Sequence, residues 1–123
     1  MRAVARVLLA LLLIAAGASH LGWGRRGYRI VARRYRVRGG EIDLVARDGA
    51  TLVFVEVKAR ESHEFGAAAE AVTPTKQMRL TRLAGEYLVR HRLQDCPCRF
   101  DVVAIHFDGG APEIEVMQNA FDA

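Results

Sequence analysis

Three charged residues sit where the surrounding sequence is otherwise apolar. Asp43 lies in Gly40-Glu-Ile-Asp43-Leu, and Glu56 and Lys58 lie in Val53-Phe-Val-Glu56-Val-Lys58. Side chains alternate along a strand, so Glu56 and Lys58 share a face. Two carboxylates brought together inside a sheet repel each other and are poorly hydrated. A divalent cation removes that conflict, and hard oxygen donors suit magnesium or manganese, Mg²⁺ or Mn²⁺. The predicted ligands are Asp43, Glu56 and the carbonyl of Val57. A cation there would polarise a phosphate and acidify a water. Lys58 would balance the developing charge or orient the attacking water. A lone Glu-x-Lys is more often a structural salt bridge at a strand end. Asp43 on the neighbouring strand is what turns the balance toward catalysis.

Whether Asp43 joins the other two depends on the hairpin. Glu41–Arg47 and Thr51–Arg60 read as strands, with Asp48-Gly49 as a tight turn between them. A two-residue Asp48-Gly49 turn pairs Arg47 with Ala50 and sets Asp43 opposite Phe54. A four-residue turn moves Asp43 opposite Glu56. Either register keeps Asp43, Glu56 and Lys58 on one face. A three-residue turn without a bulge sends Asp43 to the other face, because a one-residue slip inverts every side chain.

The elements around this hairpin are also legible. Tyr28–Ala32 is β-prone and leads into an arginine-rich stretch that Gly39-Gly40 interrupts. Residues 61–72 are small and polar and read as a loop. Thr73-Pro74 is a helix start, a hydroxyl cap followed by proline where its missing N–H costs nothing. Leu80, Leu83, Ala84, Tyr87 and Leu88 then recur at helical spacing as one buried stripe. Arg99–Phe107 reads as a third strand and Pro112–Met117 as a short last one. The order predicts an α/β domain, a mixed central β-sheet flanked by helices.

Charge and cysteine content narrow the classes. The 123 residues carry a formal net charge of +4, a single-domain length with a weak bias toward polyanionic partners. Arg33, Arg34, Arg36 and Arg38 precede the acidic motif, and Lys76, Arg79, Arg82, Arg90 and Arg92 form a second basic group. Basic clusters around a few inward-facing acids suit a protein that grips a phosphate backbone and hydrolyses one of its links. The two cysteines, Cys96 and Cys98, cannot form a disulfide framework, and without His or Cys partners they make no zinc site. Reduced thiols mildly favour the cytoplasm.

The first 23 residues stand apart from the rest. Arg2 and Arg6 precede an apolar run from Val7 to Ala18, too short to span a bilayer comfortably. Three readings stay open: a buried first helix of the domain, a secretory signal-like segment that implies export, or a mis-called start. Residues 24–123 carry the domain's own pattern. A membrane role would require residues 7–18 to act as a signal or an anchor.

Taken in series, Gly27-Tyr-Arg-Ile30, Arg38-Gly-Gly-Glu-Ile-Asp43-Leu-Val-Ala46, Leu52-Val-Phe-Val-Glu-Val-Lys58-Ala-Arg60, Glu70-Ala-Val-Thr-Pro74 with Lys76-Gln77, and Arg99-Phe-Asp-Val-Val103 resemble the YraN-like proteins. These are small bacterial proteins similar in fold to Holliday-junction resolvases and other PD-(D/E)xK nucleases. The resemblance implies a restriction-endonuclease-like fold with Asp43, Glu56 and Lys58 as active-site residues. It also implies a metal-dependent endonuclease acting on DNA, with Lys76 and Gln77 near the site at a helix start, where a phosphate is favoured. Resolvase-like relatives act as dimers, which makes a homodimer one option. Such proteins usually begin with an amphipathic helix bearing a Gly-x-x-Gly-Glu motif, whose Glu adds an acid to the metal site. Here no acidic residue precedes Glu41. The alternative is therefore a catalytically impaired, nuclease-fold nucleic-acid-binding module.

Two further acids are candidates for a supporting role, Glu41 and Asp101. For Asp101 a strand residue satisfied by arginine is the weightier reading. His63 and His106 read as a surface and a structural histidine. Trp23 and Tyr28 read as packing aromatics rather than base-stacking ones.

Overall fold

The computed structural model describes residues 29–60, 72–106 and 113–122. The N-terminal segment 1–23, Tyr28, His63 and the loop at 61–71 lie outside them. Five strands and one helix make up the described fold: β1 (Arg29–Val37), β2 (Gly40–Asp48), β3 (Thr51–Arg60), α1 (Pro74–Arg90), β4 (Cys98–His106) and β5 (Glu113–Phe121). The strands lie in the sheet in chain order. β1, β2 and β3 form an antiparallel meander, β3 and β4 run parallel, and β5 returns antiparallel to β4. A parallel neighbour needs a crossover connection, and α1 lies in that connection between β3 and β4. The result is a mixed sheet in an α/β fold. Among the described residues a single helix packs against it, where helices on its flanks were expected.

The sheet is apolar on both faces. On the α1 side, Ile42, Val45, Phe54, Phe100 and Val102 pack with Leu80, Leu83, Ala84 and Tyr87 of the helix. On the far side, Leu44, Ala46, Val53, Val55, Val103 and Ile105 form a second buried cluster. Close contact between α1 and the sheet explains Gly40, where a Cβ would lie 2.9 Å from Leu83 Cδ1. Thr73 caps α1 as its sequence predicts: its hydroxyl accepts from Lys76 N–H, and Pro74 opens the first turn.

Several boundaries differ from expectation. The turn between β2 and β3 is Gly49-Ala50, since Asp48 pairs with Thr51 and Arg47 with Leu52. Of its two residues only Gly49 has positive φ, +59°, the pattern of a type II′ hairpin that a glycine in first position favours. The arginine-rich stretch is not merely a lead-in; it forms most of β1. β5 runs on to Phe121, four residues past the expected end.

The β1–β2 ladder is irregular at two levels: its register shifts between Ile30 and Ala32, and a second break lies further along both strands. Ala32 pairs with Val45, Arg33 with Leu44 and Tyr35 with Ile42, while Arg34 and Asp43 between them are skipped. Ala32, Tyr35, Ile42 and Val45 all pack on the α1 side, whereas Leu44 belongs to the far-side cluster. Simple alternation would put residues 42 and 45 on opposite faces. Both strands therefore change face parity at the same level, at Arg34 and Asp43, with no shift in their register.

Candidate functional site

Asp43 occupies the point where β2 leaves β3. Cross-strand pairing ends at Leu44 with Val55, and beyond it the Asp43 carboxylate accepts the Val57 backbone N–H at 2.8 Å. Extending the same register places Asp43 level with Glu56. Glu56 and Lys58 lie beside Val102 and Ala104 of β4, both on the α1 side of the sheet. Lys58 Nζ stands 3.5 Å from Glu56 Oε1, and both side chains are largely buried, at 17% and 19% exposure. From α1, Lys76 lies close enough to Lys58 for that ammonium to lower its pKa. The structure thus gathers Asp43, Glu56, Lys58 and Lys76 at one end of α1.

The electrostatics of this group are under tension. Burial pushes the Asp43 carboxyl up from 3.8 to about 7, helped by the Glu56 carboxylate and by the charge of Glu41, while the Val57 N–H opposes the rise. Hydrogen bonding to Lys58 and the like charge of that ammonium lower the Lys76 pKa, and Glu56 acts against them. Two acids and two amines thus face one another, each pair repelling within itself.

The other expected residues are distributed more widely. The Gln77 amide Nε2 donates to Val72 O at 2.9 Å and so anchors the chain entering α1. Its backbone N–H and that of Lys76 are taken by Thr73, which leaves little of the helix terminus for a phosphate. Arg33 pairs beside Leu44 on the far side of the sheet, away from the acids. Arg34 and Arg36 each donate to Glu41, at 3.2 Å. Arg38 is exposed at the β1–β2 turn. Glu41 acts on Asp43 through its charge, which helps to raise the Asp43 carboxyl. Asp101 faces the far side, since its neighbours Phe100 and Val102 face α1. It is fully buried, takes hydrogen bonds from Arg99 and from Asn119 N–H, and secures the irregularity of β5. That is a structural role and removes Asp101 from the site. His106 is likewise buried, 3.3 Å from Glu115.

The donor set is suited to a small hard cation. Among the described residues no group of three or more His, Cys, Asp or Glu side chains gathers for a metal ion. The acids available are Asp43 and Glu56. One or two carboxylates, completed by water and substrate phosphate, is the usual provision for Mg²⁺. The N–H and C=O of a strand residue point to the same side. The Val57 N–H points at Asp43, so its carbonyl is directed toward the same gap. Among the described residues no helix is long and apolar enough to cross a membrane.

Comparison with known sequences places this arrangement in a context. Residues 18–105 match the uncharacterised protein family UPF0102. A UPF0102 protein of Symbiobacterium thermophilum is 53% identical over 98 residues, covering 79% of this chain and 83% of the relative. One from Geobacter metallireducens is 49% identical, covering 80% of each. One from Nitrosomonas eutropha is 52% identical over 93 residues, covering 76% and 77%.

Proposed function

The chain belongs to the uncharacterised protein family UPF0102, and from the geometry of its site we propose that it is a divalent-metal-dependent phosphodiester hydrolase acting on nucleic acid, DNA first, with restriction-endonuclease-like use of its residues. The observation that carries this reading is the meeting of Asp43 and Glu56 with Lys58 and Lys76. Two carboxylates cancel two ammoniums. A divalent cation then leaves two positive charges in excess, the count that balances a phosphodiester anion and an attacking hydroxide.

Asp43, Glu56 and the Val57 carbonyl would hold Mg²⁺ or Mn²⁺, which supplies charge to polarise the phosphate and to ease deprotonation of a water. In the step itself a water loses its proton to solvent and its oxygen bonds to phosphorus. The bond from phosphorus to the departing sugar oxygen breaks, and that oxygen takes a proton from solvent. Lys58, steadied by Glu56, presents its ammonium to the charge growing on the phosphoryl oxygens. Lys76 meets the phosphate from the helix side.

The test is cleavage of single-stranded, duplex and four-way DNA with Mg²⁺ or Mn²⁺. Wild type should cut at least one substrate, and Asp43→Ala and Lys58→Ala should each lose at least 100-fold, the usual effect of removing a group that stabilises a transition state. Wild type that neither binds metal nor cuts any substrate ends the enzyme reading. A second reading, a nucleic-acid-binding module that does not cut, is favoured by the two-acid donor set. Salt-sensitive binding without metal-dependent turnover would select it.

A further inference from the structure

We propose that Arg34 is a positioning residue whose left-handed backbone, opposite Asp43, creates the kink that aims the Asp43 carboxylate across the sheet. Three observations meet here. Arg34 has φ +50°, a conformation an L side chain rarely adopts, and it lies in the middle of a strand. The β1–β2 ladder skips Arg34 and Asp43 together, and the strands change face parity at that level. At the same level the Asp43 carboxylate leaves the alternation of β2 and takes up the Val57 N–H of β3.

These belong to one device. A left-handed residue inside an extended strand breaks the alternation of side chains between the two faces. In a regular ladder Asp43 would stand upright on the sheet between Ile42 and Leu44. With the change of face in both strands, Ile42 returns to the α1-side core, and Asp43 is turned sideways to where Glu56 and Val57 lie. The backbone strain at Arg34 persists only because other contacts hold it. Two are visible: the Arg34–Glu41 ion pair at 3.2 Å, and the packing of Tyr35 against Tyr87 with ring centroids 4.9 Å apart. Glycine would relieve the strain. Arginine at this position ties the kink to Glu41.

The experiment separates backbone from side chain. Arg34→Gly accepts φ +50° freely, whereas Arg34→Val resists it and Arg34→Ala resists it less; Glu41→Gln removes the ion pair alone. Two readouts are compared in each full-length variant: exchange protection of the Val57 amide relative to the Val53 amide, and Mn²⁺ affinity. Arg34→Gly should keep both within about threefold of wild type. Arg34→Val, and Arg34→Ala if the valine variant does not fold, should lose roughly tenfold in each while helix content is retained. Equal losses in the glycine and valine variants would overturn the proposal, because the side chain and not the backbone would then carry the effect. Unchanged Val57 protection in the valine and alanine variants would also overturn it. The metal arm rests on the proposed function, but the amide arm does not. A wild type that binds no Mn²⁺ defeats the former and leaves Arg34 to be decided by Val57.

Discussion

At the scale of the residue, Asp43 is the group most altered by the fold, and its ionisation has a thermodynamic consequence. Its carboxyl is raised from 3.8 to about 7, first by burial and then by Glu56. A folded-state pKa above the unfolded one favours the protonated form in the fold. The stability this group contributes is therefore complete below about pH 4 and is lost as the pH rises to about 7. A shift of that size corresponds to a change on the order of a few kcal/mol. Without divalent cation the wild type should melt at a lower temperature at pH 8 than at pH 5, and Asp43→Asn should flatten that decline. Added Mg²⁺ or Mn²⁺ should raise the wild-type melting temperature at pH 8 and leave Asp43→Asn nearly unmoved, since a ligand of the native state stabilises by mass action. If the Asn variant declines between the two pH values as steeply as wild type, the buried carboxylate pair is not the cause.

At the scale of the element, α1 shows how far local chemistry decides structure. Thr73, Pro74 and the apolar spacing of Leu80, Leu83, Ala84 and Tyr87 were sufficient to place the helix and its buried face. β3 was equally plain from its Val and Phe content. Less legible was the β2–β3 turn, displaced one residue to Gly49-Ala50 because a type II′ turn wants glycine first. Alternation and register brought Asp43, Glu56 and Lys58 to one place on paper, but the route taken by the chain is different. Asp43 reaches its neighbours through the kink at Arg34, and a left-handed arginine leaves no mark on periodicity. β5 runs past its sequence signal for a related reason, an irregularity secured by buried Asp101. Gly85 offers a cleaner test of propensity. It lies inside α1, is exposed, and an added Cβ would meet nothing within 4 Å. Gly85→Ala should stabilise the protein by about 1 kcal/mol in urea unfolding, the helix-propensity difference. A loss of stability there would mean that something beyond the described contacts lies against this face.

At the scale of the whole molecule, the placement of positive charge separates two ways for a polyanion to lie on the protein. Lys58 and Lys76 flank the acids on the α1 side, whereas Arg33 lies on the far side of the sheet. Arg34 and Arg36 are engaged by Glu41, which reduces the charge they present. A net charge of +4 on 123 residues gives a general attraction, but the distribution favours a backbone that passes over the start of α1. Binding of a phosphate chain releases one counterion for each phosphate neutralised, so affinity falls with salt in proportion to the number of such contacts. Replacing a lysine that contacts phosphate should reduce the slope of log affinity against log salt by about one. Lys76→Met should show that reduction with DNA, and Arg33→Gln should leave the slope unchanged. Measured over a range of salt without added divalent cation, the two slopes compare directly. The reverse outcome, a shallower slope in Arg33→Gln and none in Lys76→Met, would put the bound strand across the far face, out of reach of Asp43 and Glu56, and the charge distribution would then argue for holding nucleic acid instead of cutting it.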